Sequence, residues 1–187
     1  NDLGRRQVAK LANFIRHIGI SALYASDLRR AKETADILSE RLGFTPIFDP
    51  RLRERDIGLW QGLTMDELRD WYPDGYNQCL AQPENFLVPG GESRSDVRKR
   101  VVAAFDDILT QDRGETVAIL SHTTAMKVLI THLIPDCDDQ GIDLDNSSVT
   151  TLARDGETAR WRLVMVDDVM HLEGIESKSF RELEYGR

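Results

Sequence analysis

Three residues of this sequence have side chains that together could bind and act on an anion: Arg30, Glu54 and His122. A guanidinium can bind two oxygens of an anion at once, a carboxyl can transfer a proton, and an imidazole can donate a hydrogen bond. Each of them follows a short apolar segment that is typical of a strand. The sequence therefore predicts a site that combines anion binding with acid–base chemistry.

His122 follows the apolar run 116–120 and Ser121, and a helical pattern begins at once. A strand that leads directly into a helix presents unpaired backbone N–H groups and the positive end of the helix dipole, so this turn suits an anion. The alternative is that His122 only caps the helix. This segment alone does not decide between the two interpretations.

Arg29 and Arg30 follow the apolar segment 21–26 and lie in the first turn of a predicted helix. The helix dipole disfavours positive charge there, which indicates an anion nearby. Arg29 is interpreted as a surface residue paired with Glu33. Arg30 has small neighbours on its helix, and we expect it to turn inward and bind two phosphate oxygens.

Glu54 lies in the segment LRERDIGLWQG, whose glycines predict a tight loop at the mouth of a pocket. A carboxyl beside a bound phosphate can protonate a leaving alcohol if desolvation and the approaching anion favour its protonated form. The alternative is a salt bridge with Arg51, Arg53 or Arg55. Taken alone, Glu54 favours that alternative.

Short apolar segments alternate with amphipathic helical patterns along the chain. This alternation predicts an α/β fold, a three-layer α/β/α sandwich with a mostly parallel central sheet, in which ligands bind outside the carboxyl ends of the strands. The predicted strands are residues 21–26, 45–48 and 116–120, with a hairpin at 148–152 and 161–166. The predicted helices are residues 3–18, 28–42, 97–109 and 126–134, and a short helix that starts at Thr64.

Residues 1–173 are predicted to form one domain, with an insert at 63–95 over the site. Scattered proline and glycine make residues 71–89 a loop or a loosely helical segment of the kind that carries substrate contacts. The charged tail, residues 174–187, is predicted to be a surface helix or a mobile segment.

Composition excludes several classes of partner. The formal net charge of −8 and the lack of a basic block predict no binding to nucleic acid. No apolar run approaches the roughly 20 residues of a membrane span, so no membrane partner is expected. Cys79 and Cys137 lie far apart without metal-ligand spacing, which favours reduced thiols and a cytoplasmic location. A monomer and a homodimer both remain open.

Four segments resemble the motifs of the histidine phosphatase superfamily, also called phosphoglycerate mutase-like proteins. SDLRRAKETA resembles its S-x-L-x-R-A-x-x-T-A motif, and LRERDIGLWQG resembles its L-x-E-x-x-x-G-x-x-x-G motif. PGGES and AILSHTTAM resemble its P-G-G-E-S segment and its strand-Ser-His motif. The motifs occur in the family's order, and the resemblance covers nearly the whole chain. It implies the phosphoglycerate mutase-like version of the fold.

The resemblance also implies hydrolysis of a phosphomonoester through a phosphohistidine, with no metal ion and no organic cofactor. Arg30 would bind phosphate oxygens, and Glu54 would protonate the leaving oxygen and later activate water. His122 would donate to the phosphoryl group, and the backbone N–H of Thr123 would add to the anion site. The family usually has glycine where this chain has Thr123.

The family's Arg-His-Gly motif, which supplies the attacking histidine on its first strand, does not occur in the 187 residues. His17, His132 and His171 are interpreted as structural, with His171 near the pocket rim. We expect residues before Asn1 that include this strand, since its loss would leave buried backbone groups unpaired at about 1–3 kcal/mol each. If the histidine is absent altogether, the resemblance implies a phosphate-ester binding module without turnover.

Mutases of this family carry a longer basic insert that holds the substrate carboxylate. Residues 68–89 contain Arg69 as their only Lys or Arg, so a phosphatase is favoured and a cofactor-dependent phosphoglycerate mutase is the alternative. Aromatic residues of this region suit a small phosphorylated metabolite, although such side chains more often pack on one another. The predicted substrate-lining residues are Trp60, Tyr72, Tyr76 and Phe86.

Overall fold

A central sheet of three parallel strands carries the ends at which the predicted site residues lie. β1 (Ala22–Ala25) lies between β2 (Ile47–Phe48) and β3 (Val117–Leu120) and is hydrogen-bonded to both. Every residue of β1 is buried, as expected of a parallel strand covered on both faces. Because the strands are parallel, their carboxyl ends meet at one edge of the sheet.

The structure, a computed structural model, describes residues 1–111, 114–138 and 141–175. The charged tail predicted for residues 174–187 therefore lies outside the described residues from position 176 onward. Six α-helices occur in the described part: α1 (Asp2–Ile15), α2 (Arg29–Leu42), α3 (Met65–Trp71), α4 (Pro73–Ala81), α5 (Arg94–Thr110) and α6 (Thr123–Leu133).

The side chains of β1 alternate between two apolar cores. Leu23 and Ala25 pack against α1 and α2, whereas Ala22 and Tyr24 face α5. A third core joins α5 to α6. Helices therefore cover both faces of the sheet, and the predicted three-layer α/β/α arrangement is confirmed.

The described strands form two separate sheets, one of three parallel strands and one of two antiparallel strands. β1 and β3 pair directly, and the flanking N–H groups of Ser21 and Ser26 donate to the carbonyls of Thr116 and Leu120, both at 2.9 Å. Among the described residues, β3 has no strand partner on its other side, and the hairpin strands at 149–154 and 161–168 pair only with each other. The expectation of unpaired backbone groups at an inner position of the sheet therefore stays a prediction.

Most helix ends follow from local sequence. Gly43 ends α2 in the left-handed region at φ 81°, and Thr64 and Glu67 form the predicted capping box at the start of α3. The segment predicted as a loop or loose helix contains a regular helix, α4. Pro73 occupies its first turn, where the missing N–H of proline costs nothing.

The predicted hairpin is present as the antiparallel strands β4 (Val149–Arg154) and β5 (Trp161–Asp168). Trp161 contacts the ring of Phe105 edge-on, with 5.3 Å between ring centroids, so the hairpin is attached to α5. No helix within the described ranges is long and apolar enough to cross a membrane.

Candidate active site

Arg30 and His122 are in direct contact at the carboxyl edge of the sheet. Arg30 lies in the first turn of α2, and His122 is the residue before α6. The Nε–H group of Arg30 donates to Nδ1 of His122 at 3.2 Å. Two of the residues that the sequence predicts for one site, 92 positions apart in the chain, are thus brought together.

The contact fixes the protonation state of His122. A guanidinium can only donate hydrogen bonds, so Nδ1 must carry a lone pair and the ring proton must be on Nε2. Burial, with the positive charge of Arg30 adding to it, lowers the pKa of His122 from 6.5 to about 4. His122 is therefore a neutral imidazole at neutral pH.

Ser26 is a site residue that the sequence interpretation missed. Its side chain is fully buried, and its Oγ lies 2.8 Å from Nε2 of His122. Because the proton is on Nε2, His122 donates to Ser26, whose Oγ also accepts from the N–H of Leu28 at 3.3 Å. The signal was available, since Ser26 is the first residue of the S-x-L-x-R segment.

The Glu54 carboxyl faces the start of α6. Its Oε2 accepts from the N–H of Thr124 at 3.1 Å, and its Oε1 accepts from the N–H of Arg55 at 2.7 Å. Ser121 ties the same two segments together through a hydrogen bond from its Oγ to the carbonyl of Leu52 at 2.7 Å. The Glu54 carboxyl thus binds the backbone of a residue two positions after His122.

The neighbouring arginines are engaged elsewhere. Arg51 pairs with Asp49 at 2.7 Å and with Asp107 at 2.6 Å, and Arg53 pairs with Asp27 at 2.6 Å. The guanidinium of Arg55 donates to the backbone carbonyls of residues 86 and 92. The alternative reading of Glu54, a salt bridge with one of these arginines, is therefore wrong.

The remaining predictions for the first turns of α2 and α6 concern Arg29 and Thr123. Arg29 pairs with Glu33 at 3.6 Å on the surface, as predicted. Thr123 is the first residue of α6 and is exposed. A role of its backbone N–H in anion binding stays a prediction.

The four predicted substrate-lining residues lie in or beside the insert. The rings of Trp60 and Phe86 stack at 5.2 Å, and Tyr76 packs against the same cluster, which also contains Leu68 and Val88. This cluster is a small core of the insert. Tyr72, at the junction of α3 and α4, is the more exposed member. Substrate contact by Trp60, Tyr72, Tyr76 or Phe86 stays a prediction.

The other histidines occupy other parts of the fold. His17 is exposed after α1, and His132 lies in the last turn of α6. His171 stacks on Phe14 of α1 at 5.0 Å and so takes part in packing there. Burial lowers the pKa of His171. In the described ranges, no three His, Cys, Asp or Glu side chains converge in a way that could hold a metal ion.

Comparison with known proteins shows the family of this chain. Residues 1–168 match the profile of the histidine phosphatase superfamily, branch 1. The chain belongs to the histidine phosphatase superfamily. The three-layer α/β/α arrangement of the phosphoglycerate mutase-like fold is confirmed by similar solved structures.

Three similar proteins illustrate the range of this superfamily. A bifunctional protein of Mycobacterium tuberculosis is 37% identical over 131 residues, which are 70% of this chain, and the chain spans only 36% of that protein. A probable phosphoglycerate mutase of Enterobacter is 31% identical over 176 residues, 91% of this chain and 81% of the relative. The solved mycobacterial glucosyl-3-phosphoglycerate phosphatase with VO3 is 29% identical, with a TM-score of 0.78 over 89% of this chain and 86% of its own.

Proposed function

We propose that this histidine phosphatase-like chain hydrolyses a small phosphomonoester through a phosphohistidine intermediate. The observation that carries the proposal is the contact of Arg30 with His122 at the sheet edge, with the Glu54 carboxyl bound to the first turn of the helix that follows His122. A guanidinium, an imidazole and a carboxyl around one position supply anion binding and proton transfer.

The reaction would run in two steps. A histidine nitrogen attacks phosphorus, the bond from phosphorus to the ester oxygen breaks, and Glu54 gives its proton to that oxygen. Glu54, now a carboxylate, then takes a proton from water while the water oxygen attacks phosphorus and the phosphorus–nitrogen bond breaks. Inorganic phosphate leaves, and both the histidine and the protonated Glu54 are restored.

Arg30 would stabilise the phosphoryl group during both steps, and His122 would add a donor once its Nδ1 is protonated. Charge develops on the phosphoryl oxygens in the transition state, and donors placed beside them lower the barrier. The related mycobacterial phosphatase was solved with VO3, an oxyanion of phosphate-like chemistry. This relative supports the assignment of a phosphate ester as the substrate class.

Phosphoglycerate mutase activity is the alternative, supported by the name of the Enterobacter relative. A mutase must hold a substrate carboxylate as well as a phosphate, which calls for free positive charge over the site. Arg69 is the only Lys or Arg of residues 68–89, and it pairs with Asp66 at 2.7 Å and with Asp70 at 3.7 Å. This engagement favours the phosphatase.

Binding of a phosphate ester without turnover is a second candidate function. One observation favours it. The structure describes all four histidines of the sequence, and of these His122 is the one that hydrogen-bonds to Arg30. None of the other three has a described hydrogen bond to Arg30 that would place it as the attacking group. A binding module would keep Arg30 and His122 and would form no covalent intermediate.

Trapping of the intermediate separates these functions. The full-length protein is incubated with a panel of phosphomonoesters, quenched without acid and mapped for phosphohistidine. Hydrolysis together with a phosphorylated histidine supports the phosphatase. Transfer of the phosphoryl group to a second hydroxyl in place of water supports the mutase. Vanadate binding with neither product nor label supports the binding module and contradicts the proposal. The cytoplasmic location and the oligomeric state stay open predictions.

A further inference from the structure

We propose that Arg100 is a positioning residue for Glu54, and that Glu92 orients Arg100 for this task. Arg100 lies on α5, and Glu92 lies two positions before the start of that helix. The inference rests on the proposed function, because it takes Glu54 as the group that protonates the leaving oxygen. It adds a set of hydrogen bonds from Arg100 that hold the backbone around Glu54 in place.

The guanidinium of Arg100 binds three backbone carbonyls of the segment that contains Glu54. Its Nη1 donates to the carbonyls of Arg51 at 2.8 Å and Arg53 at 2.7 Å, and its Nη2 donates to the carbonyl of Glu54 at 3.0 Å. The carbonyls of Arg53 and Glu54 belong to an irregular stretch between the short 3-10 turns Pro50–Leu52 and Gly58–Trp60, and the carbonyl of Arg51 belongs to the first of these turns. Without partners of this kind, such a stretch has few hydrogen bonds to fix its conformation.

Glu92 fixes the orientation of the Arg100 guanidinium. Its two carboxylate oxygens accept from Nε and Nη2 of Arg100, both at 2.8 Å. The hydrogen bonds from Arg100 lower the pKa of Glu92, so the carboxylate stays ionised. Glu92 also accepts from the N–H of Asp56 at 3.0 Å through Oε2, and its own N–H donates to the Asp56 carbonyl at 2.8 Å.

All five N–H donors of the guanidinium are used by these contacts. Three are directed to backbone carbonyls and two to the Glu92 carboxylate, and an arginine side chain has no further donor. Arg100 therefore has no N–H group left for a phosphate. Arg100 thus acts on the reaction through Glu54, whereas Arg30 would bind the phosphate directly.

Two glycines allow the two segments to approach this closely. A Cβ atom at Gly91 would clash with the backbone carbonyl of Asp56, and one at Gly58 would clash with the backbone carbonyl of Pro89. Gly58 also has a φ of 47°, in the left-handed region. The PGGES segment and the Glu54 loop are thus packed backbone to backbone, with Arg100 and Glu92 beside the contact.

The test compares Arg100→Lys with a matched control on the same helix, Arg98→Lys. Arg98 donates to Glu84 at 2.8 Å and to the Val128 carbonyl at 3.0 Å, with no contact to the Glu54 loop among its described hydrogen bonds. Lysine keeps the positive charge but has only three donors from one atom, so it cannot bind three carbonyls and a carboxylate together. Glu92→Gln serves as a second variant that keeps Arg100.

The measured quantity is the loss in kcat/KM for an alkyl phosphate and for an activated aryl phosphate. A displaced acid slows the alkyl ester by about tenfold or more and the aryl ester by about twofold, because only the poor leaving group needs the proton. Arg98→Lys should change both by less than about twofold. Inhibition by vanadate should not change in any variant, since Arg30 is untouched. Equal losses for the two esters in Arg100→Lys and Glu92→Gln would overturn the proposal.

A second readout is independent of turnover. Amide hydrogen exchange of residues 51–56 should be faster in Arg100→Lys than in Arg98→Lys. The reason is that the hydrogen bonds from Arg100 to the carbonyls of this stretch are lost, so the stretch opens more often. If the wild-type protein hydrolyses neither ester, the proposed function fails. The exchange measurement still tests whether Arg100 holds the backbone around Glu54. Unchanged exchange in Arg100→Lys would overturn its role in holding the loop.

Discussion

The Nε–H group of Arg30 donates to Nδ1 of His122 at 3.2 Å, so the proposed phosphate-binding guanidinium is hydrogen-bonded to the imidazole beside it. His122 in turn donates from Nε2 to Ser26. Both ring nitrogens therefore have partners, and the ring is neutral. Only the Nε–H group of Arg30 is used in this contact, so an incoming phosphate can bind the N–H groups of Nη1 and Nη2.

Protonation of His122 should destabilise the protein in mild acid. Its pKa falls from 6.5 to about 4 on folding, because burial and Arg30 disfavour the charged ring. The unfolded chain then binds more protons between pH 6.5 and pH 4, so the free energy of unfolding falls as the pH is lowered through this window. The contribution of His122 is about 1–2 kcal/mol once solvent screening of the partly exposed ring is allowed for, measured by urea unfolding at several pH values.

His171 acts in the same direction, since burial lowers its pKa too. The contribution of His122 is therefore taken as the difference between wild type and His122→Gln, which cannot titrate. His17→Gln, at an exposed position, is the control. The same pH dependence in wild type and His122→Gln would contradict the assignment.

Anion binding should raise the pKa of His122. A phosphate or vanadate bound by the Nη groups of Arg30 offsets the positive charge of the guanidinium and brings a negative charge beside the ring. Both changes favour the imidazolium, so the pKa moves upward from about 4. NMR titration of the His122 ring protons with and without vanadate measures this. An unchanged midpoint would show that the anion binds elsewhere.

Arg30→Ala should abolish most phosphate binding, whereas Arg29→Ala should not. The two residues are adjacent on α2, but Arg29 lies on the surface and pairs with Glu33. Loss of a charge-assisted bidentate contact costs about 2–3 kcal/mol, which is a loss in vanadate affinity of about 30-fold to 150-fold. Calorimetric titration with vanadate compares the variants. Equal affinities of Arg30→Ala and Arg29→Ala would exclude Arg30 from the site.

Glu54→Gln should slow esters with poor leaving groups far more than activated aryl phosphates. Glutamine keeps the size of the side chain and can accept from Thr124, but it cannot donate the proton that an alkoxide needs. The expected loss for an alkyl phosphate is about 100-fold or more, seen in kcat/KM. Glu40→Gln, at an exposed position on α2, should have no effect. A uniform loss across leaving groups in Glu54→Gln would mean that Glu54 is not the acid.

Local sequence patterns were sufficient to predict most of the fold. Apolar periodicity placed α1, α2, α5 and α6, and the capping box at Thr64 fixed the start of α3. α4 was not predicted as a regular helix, because Gly75 and the surrounding polar residues give it little apolar periodicity and none of its residues is buried. Its stability comes from Pro73 at its start and from contact with α3.

The site was predictable in its members but not in its contacts. Arg30, Glu54 and His122 each follow a strand, and parallel strands end at one edge, so their approach follows from topology. The hydrogen bonds from Arg100 join residues that lie 46 to 49 positions apart. No local pattern indicates which arginine of α5 turns toward the loop that contains Glu54. The strand order β2-β1-β3 was not predicted, since a motif does not state which strands will be neighbours.

Crystallisation of the protein with orthovanadate tests the central claim most directly. The account predicts one vanadate at the carboxyl edge of the sheet, with its oxygens within hydrogen-bonding distance of the Arg30 guanidinium and the His122 imidazole, and with the Glu54 carboxyl facing it. Vanadate bound at another surface, with Arg30 still donating to His122, would contradict it.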